Sequence, residues 1–287
     1  MAAVRAARRE RLRGFAFVLP ALLWTAAFFL LPFAFMVAMS LWRRVGGRIL
    51  ESWTLENYAD FFGRPHFLEG LANSLEITLT VTVISVLFAY PLAWIIAEKV
   101  PERWQRAALM LAVLPFWTSY VVRSYAWLLV LAHDGVVNRA LLAVGLVEAP
   151  LVLASTRTAT VIGFVHFFVM LLTLTIYANL RQLSPNYARA AADLGAGPVR
   201  IFLHVILPLT LPGVMVGAFL TFVLAIGDYV TPQILGGNNE LVLPQIIMLQ
   251  IGRRADLPSA SAMAIVLMAV VTLVYFACAR WLRLERA

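Results

Sequence analysis

Lysine and cysteine are almost absent from this sequence. Lys99 is the single lysine among 287 residues, and Val100 follows it. A phosphate-binding P-loop needs Gly-Lys followed by Ser or Thr, so no ATP site of that kind is present. Any P-loop ATPase that works with this chain is a separate polypeptide. Cys278 is the only cysteine, which excludes an intrachain disulfide and a cysteine-based metal site. Neither His-Glu-x-x-His nor Gly-x-Ser-x-Gly occurs, and no pair of aspartates lies within an apolar run, so an intramembrane enzyme is a weak reading. Charge is scarce as well. Asp, Glu, Lys and Arg make up 13% of the chain, against about 25% in soluble domains.

Apolar residues fill the space that charge leaves. They form 62% of the chain and gather into six runs, at 14–39, 72–97, 107–132, 158–180, about 209–234 and 259–282. Each can cross a hydrocarbon core about 30 Å thick. The first follows a basic stretch with Arg5, Arg8, Arg9, Arg11 and Arg13, as a signal peptide would. At about 26 residues it exceeds the usual apolar region of such a peptide, so it is read as a retained helix. The net charge of +8 is spread by loop rather than gathered on one surface, which argues against nucleic acid. Six crossings put both termini on one side. That side carries 14 basic and 5 acidic residues, the other 9 basic and 10 acidic. Basic flanks stay in the cytosol, so the termini and the 181–208 loop are expected there.

Several residues stand out against the apolar runs. Asn73 and Glu76 are spaced as a capping box at the start of the second run. Pro91 is a tolerated kink within it. Arg123 lies near Trp117, Tyr120, Tyr125 and Trp127; it is read as snorkelling from an interfacial aromatic belt, with an arginine facing the bundle interior as the alternative. His166 is read as hydrogen-bonded between helices. Asp228 ends the fifth run between Gly227 and Pro232. There it either pairs at the outer interface or lines a solute path. The 40–71 segment reads as an ordered loop anchored by Trp42, Trp53 and Tyr58, and 236–258 as an outer loop. A short amphipathic element is expected at 137–146 within a polar connection.

The most informative stretch is 184–214, a polar island between two apolar runs. Ser184 suits an N-cap and Pro185 the first helical position. Alanine-rich helix formers follow, and Gly195-Ala196-Gly197-Pro198 stops the helix. Such an element either lies at the membrane interface or docks a soluble partner. Its wording, Ala190-Ala191, Asp193-Leu194-Gly195-Ala196, Phe202, Leu207-Pro208-Leu209 and Pro212-Gly213, closely resembles the EAA loop of ABC-importer permeases. Where that family usually has Glu before the two alanines, this chain has Arg189, and no Glu lies in 184–214. Residues 54–58, 114–127, 227–232 and 235–237 resemble the spermidine/putrescine branch of these permeases.

The resemblance implies an all-α integral membrane protein of the type I ABC-importer permease fold, with six transmembrane helices and a cytoplasmic coupling helix. It implies a basic cytoplasmic N-terminus at 1–13, a permease domain at 14–282 with its coupling loop at 181–208, and a cytoplasmic tail at 283–287. The implied partners are a second, different permease chain, two ATPase subunits at the cytoplasmic face, a soluble solute-binding protein outside, and lipid. No cofactor is expected in this chain, ATP and Mg being used by the ATPase. The location is the bacterial inner membrane. Arg189, Ala190, Ala191, Asp193, Leu194, Gly195 and Ala196 would contact the ATPase. Trp117, Tyr120, Arg123, Asp228 and Tyr229 are candidates for the path of a polyamine or similar small solute. The competing reading is an ion-driven carrier or channel that needs no ATPase, for which internal repeats and buried coupling charges are the expected signs.

Overall fold

The computed structural model describes residue 15, residues 17–237 and residues 240–282, with side chains through residue 279. The 1–13 and 283–287 segments, and Asn238-Asn239, lie outside the described residues. Helices dominate. They are α1 (Phe17–Ser40), α2 (Glu56–Gly63), α3 (Pro65–Lys99), α4 (Glu102–Val113), α5 (Tyr120–Leu131), α6 (Val136–Ala143), α7 (Arg157–Gln182), α8 (Pro185–Asp193), α9 (Pro198–Ile226), α10 (Val230–Leu235), α11 (Leu243–Gly252) and α12 (Leu257–Leu282). One antiparallel hairpin, β1 (Arg43–Val45) and β2 (Arg48–Leu50), joins α1 to α2. The chain divides into two compact units, one of Met1–Arg64 with Leu249–Val266, the other of Pro65–Met248 with Leu267–Ala287.

In the first unit, α1 is apolar all round, and its side chains are exposed through Phe35. Such a surface suits lipid or another membrane helix, not water. A π turn at Ala26–Leu30 lies just ahead of Pro32, and another at Phe202–Ile206 lies just ahead of Pro208 in α9. Proline has no N–H to return to the carbonyl four residues back, and its ring crowds that group; a wider turn relieves both problems. The hairpin turns on Gly46-Gly47, both at positive φ, which matches the right-handed twist of its strands. Asn57 donates to the carbonyls of Ser40 and Trp42, both at 2.7 Å, and so orders the loop as its aromatic residues suggest.

The second unit is built on α3, α7 and α9. Ile77 and Val81 near one end of α3 pack with Phe164, Phe168 and Ala225, while Ala89, Ala93 and Ala97 at its other end pack with Leu172, Ile176 and Val214. So α3 and α7 run parallel and α9 runs against both. Helices approach closely where one of them lacks a side chain. At Gly213 a Cβ would collide with the Asn179 amide.

The third run is not one helix. α4 ends at Val113, a 3-10 turn spans Leu114–Trp117, and α5 begins at Tyr120. Pro115 accounts for the break, since it cannot continue the ladder. The two pieces still cross together. Gln105 bonds Tyr177, Phe116 stacks on Phe167, Trp127 bonds His166 and Leu131 packs with Ala159. That contact order runs α4 and α5 antiparallel along the whole of α7.

Three further expectations need correction. Asn73 and Glu76 do not cap α3, which starts at Pro65. Instead Asn73 donates to the Leu241 carbonyl at 3.3 Å, and Glu76 pairs with Arg157 at 2.8 Å. The fifth span starts at Pro198 and stops at Ile226, short of residue 234. The 236–258 loop contains α11, whose start is buried: the Leu243 N–H donates to Ser74 Oγ at 2.8 Å, and the Val242 N–H to Gln245 Oε1 at 3.0 Å.

Candidate functional site

Two places in the second unit carry the residues singled out from the sequence. The first is α8 and the turn after it. Ser184 Oγ accepts the Asn186 N–H at 3.4 Å, and Pro185 opens the helix. At the other end the Gly195 N–H donates to Ala192 O at 2.8 Å, and the Ala196 N–H to Ala191 O at 3.0 Å. This crossed pair is the Schellman cap, which requires a left-handed residue; Gly195 supplies it with φ +82°. Pro198 then starts α9.

No residue of α8 is buried. Leu194 is 89% exposed, and Val199 and Tyr187 are exposed too. Large apolar side chains in the open suit contact with lipid or with a partner protein. The seven residues read from the sequence, Arg189, Ala190, Ala191, Asp193, Leu194, Gly195 and Ala196, therefore sit together on one small projecting unit. Arg189 and Asp193 are exposed and in no ion pair among the described residues. Beneath α8 a cavity of about 500 Å³ is lined by Trp94, Glu98, Arg181, Arg189 and Ile206, among others. The root of the unit is firm. Phe202 meets Trp94 edge-on at 5.2 Å and Tyr90 at 5.7 Å, and the Tyr90 and Thr210 hydroxyls share a 2.8 Å hydrogen bond.

The second place is where α5 meets α10. The break after α4 turns the Pro115 carbonyl out of the helix ladder; Thr118 donates to it through its hydroxyl at 2.6 Å and its N–H at 3.3 Å, and Arg123 donates to it at 3.1 Å. The guanidinium lies 4.8 Å from the Phe167 ring centre and 5.4 Å from that of Tyr120. Arg123 is only 6% exposed. It does not snorkel outward, because the broken turn and two aromatic faces provide an interior seat. The Tyr120 hydroxyl donates to Asp228 and also bonds Thr231. Asp228 accepts the Val230 N–H at 2.8 Å and the Thr231 N–H at 3.4 Å, capping α10. Nearby, Trp127 Nε1–H donates to His166 Nδ1 at 3.0 Å, the interhelical bond expected of His166.

Of the five path candidates, Tyr120, Arg123 and Asp228 thus converge. Trp117, at 88% exposed, and Tyr229 stay outside the cluster. Phe167, Pro115 and Thr231 belong to it and were not anticipated. Only the aromatic character of Phe167 and the helix-breaking character of Pro115 hinted at their parts. Asp228 also borders a void of about 10 Å³ among α3, α7 and α9, room for at most one water. No solute reaches the carboxylate from that void in this conformation. Among the described residues no cluster of His, Cys, Asp and Glu could hold a metal ion.

A family model described as binding-protein-dependent transport system inner membrane component matches residues 6–284. The spermidine/putrescine transport system permease protein PotB of Salmonella typhimurium (strain SL1344) is 30% identical over 263 residues, covering 90% of this chain and 91% of that protein. PotB of Haemophilus influenzae is 32% identical over 257 residues, covering 88% and 89%. Among solved structures, a chain of a bacterial ABC transporter that imports the acidic polysaccharide alginate superposes with a TM-score of 0.73 at 18% identity, covering 100% of both chains. A chain of the MetNI methionine ABC transporter gives 0.58 at 16% identity, covering 75% of this chain and 94% of that one. The chain belongs to the family of binding-protein-dependent inner-membrane transport components. It is a permease subunit of an ABC importer with six candidate membrane helices, and it is not itself the ATPase. The ion-driven alternative finds no support in these comparisons.

Proposed function

We propose that this chain forms half of the translocation path for a polyamine or a similar small organic solute, and that α8 takes up the motion of a cytoplasmic ATPase. One observation carries the reading: a doubly capped helix with no buried residue, half-covered only along Ala188 and Ala191, whose root at Phe202 is wedged against Trp94 and Tyr90. Such a helix needs stiffness and a complementary groove, not chemistry. When ATP draws the ATPases together, the docked helix moves, and α9 and α3 move with it.

In the full assembly two permease chains, this one and a different one, pair above two ATPase subunits. A soluble binding protein delivers solute from outside. The permease domain is residues 14–282, its coupling loop 181–208, and the basic 1–13 and 283–287 segments face the cytosol with both termini, in keeping with the charge bias between loops. Arg189, Ala190, Ala191, Asp193, Leu194, Gly195 and Ala196 contact the ATPase. With Arg189 where Glu is usual, either the exposed Asp193 one turn on supplies the acidic contact or the ATPase carries an acidic residue that matches Arg189.

The solute assignment draws on the relatives at 30% and 32% identity, which are named for spermidine and putrescine. A structural relative at 18% identity imports an acidic polymer, so the fold alone does not fix solute charge. Tyr120, Arg123 and Asp228, with Trp117 and Tyr229 beside them, form the part of the path that opens when the bundle rocks. Reconstitution tests the reading. Vesicles holding this chain, its permease partner, the ATPase and the binding protein should take up spermidine only with ATP inside. ATP-independent uptake by this chain alone would overturn it.

A further inference from the structure

A second cavity, of about 510 Å³, opens between the start of α4 and the end of α7, sharing only Arg181 with the cavity beneath α8. Its lining is Glu102, Arg103, Gln105, Arg106, Tyr177 and Arg181. The floor is rigid. Gln105 is buried, donates to the carbonyls of Ala97 at 3.0 Å and Val100 at 3.1 Å, and accepts from the Tyr177 hydroxyl at 2.9 Å. The rim is basic and underused. Arg103 and Arg106 are exposed and in no ion pair among the described residues. Arg181 makes only a 3.5 Å contact with Glu102, which is 85% exposed.

We infer that this cleft binds the phosphate headgroup of an anionic phospholipid. Three guanidiniums around a walled cleft suit a phosphodiester, which accepts paired N–H bonds. The surroundings favour lipid over a free anion. Met110 and Leu111, at 74% and 72% exposed, lie on the same helix as the arginines, and Trp104 is exposed beside them. Seven residues of helix, Arg103 to Met110, rise about 10 Å. A headgroup in the cleft therefore leaves its acyl chains against an apolar surface. Basic pockets between membrane helices recognise anionic headgroups in this way. Arg181 also lines the cavity beneath α8, three residues before the Ser184 cap. A headgroup held by Arg181 would steady the root of the docking helix; this consequence, unlike binding itself, rests on the function proposed above.

The test uses the full chain in nanodiscs made from equal parts phosphatidylglycerol and phosphatidylcholine, extracted gently and weighed by native mass spectrometry. Wild-type protein should retain phosphatidylglycerol. The Arg103→Gln, Arg106→Gln, Arg181→Gln variant should retain it at least about tenfold less, while Arg44→Gln, Arg48→Gln in the exposed hairpin should match wild type. If the triple variant is poorly produced, wild-type protein in 0.5 M salt should show the same loss. Equal retention by the triple variant, or no preference for phosphatidylglycerol in the wild type, overturns the proposal. So does inorganic phosphate displacing the lipid at millimolar concentration, which would assign the cleft to a soluble anion. Retention without an effect on coupled ATP hydrolysis would keep the lipid site and remove only its link to α8.

Discussion

The docking unit and the charged cluster treat polar groups in opposite ways. In α8 the backbone is satisfied by caps at both ends, and the side chains are left free. At the junction of α5 and α10 the side chains satisfy the backbone: Arg123 serves the Pro115 carbonyl, and Asp228 serves two N–H groups. The first arrangement offers its surface to something outside the chain. The second spends its charges internally, as a low-dielectric site must, because an unpaired buried charge is costly. Under the proposed function, α8 depends on its backbone geometry, and the cluster on whether its internal bonds exchange for solute.

The largest effect on uptake is expected at Gly195. Its φ of +82° is one that a β-branched residue resists. A Cβ there would meet nothing within 4 Å, so strain is the sole penalty and α8 re-orients instead of the bundle unfolding. Gly195→Val should reduce ATP-driven uptake at least about tenfold, the equivalent of about 1.4 kcal/mol in docking. Membrane insertion and thermal midpoint should stay near wild type. Coupled ATPase and uptake assays on the same preparation check this, and unchanged uptake would remove the docking role.

Next comes Asp228. An asparagine keeps an acceptor for the Val230 N–H and loses the charge. If the carboxylate serves only as a cap, Asp228→Asn should leave uptake intact, and Asp228→Ala should cost about 1–2 kcal/mol of stability. If it also meets a cationic solute, Asp228→Asn should raise KM for spermidine several-fold with little change in the thermal midpoint. We expect the second pattern. Tyr120→Phe is the companion. It removes one donor to Asp228 and a bond to Thr231, and it should destabilise by about 1.5–3 kcal/mol, as for other hydrogen bonds to charged groups.

The sequence reads the capped helix α8 well and the cluster poorly, for a physical reason. Caps act within four residues, so Ser184, Pro185, Gly195 and Pro198 state their roles in the local order of the chain. The surroundings of Arg123 depend on Phe167, 44 positions away in sequence, and on a turn that Pro115 opens. Residue type alone favoured a snorkelling arginine. The same limit hid α11. Its residues are apolar but few, and Gln245 and Gln250 break the run, so 236–258 reads as loop. Packing against Gly70 and Ser74 buries the start of this helix. Glu76 shows the converse. Its spacing from Asn73 fits a cap, yet α3 extends two turns further and turns Glu76 into a partner for Arg157.

Arg123→Lys probes the cluster more finely. Lysine keeps the charge and loses the planar face that lies against Phe167 and Tyr120. The expected loss is about 0.5–2 kcal/mol, the span of cation–π contacts from exposed to desolvated sites. It should appear as a lowered thermal midpoint in the purified subunit. A midpoint equal to wild type would mean that the charge alone, and not its stacking, holds the turn together.

The smallest effect brings the two arrangements side by side in a pair of matched caps. Ser184 Oγ accepts the Asn186 N–H at 3.4 Å on an exposed helix end. Thr156 Oγ1 accepts the Ala159 N–H at 3.2 Å and donates to Leu153 O at 2.6 Å at the partly buried start of α7. Both are N-caps, and each is nominally worth about 1 kcal/mol. Water replaces the first when Ser184 becomes Ala, and α8, half-covered only at Ala188 and Ala191, has little packing through which its loss could spread. The freed Ala159 N–H has no such replacement, since Ala159 is fully buried against Leu131 and Leu235. Ser184→Ala should therefore leave the thermal midpoint unchanged and weaken ATPase docking by no more than about threefold, at the low end of the capping range. Thr156→Ala should lower the midpoint and leave docking untouched. Equal shifts in both variants would mean that α8 is held by contacts beyond its own caps.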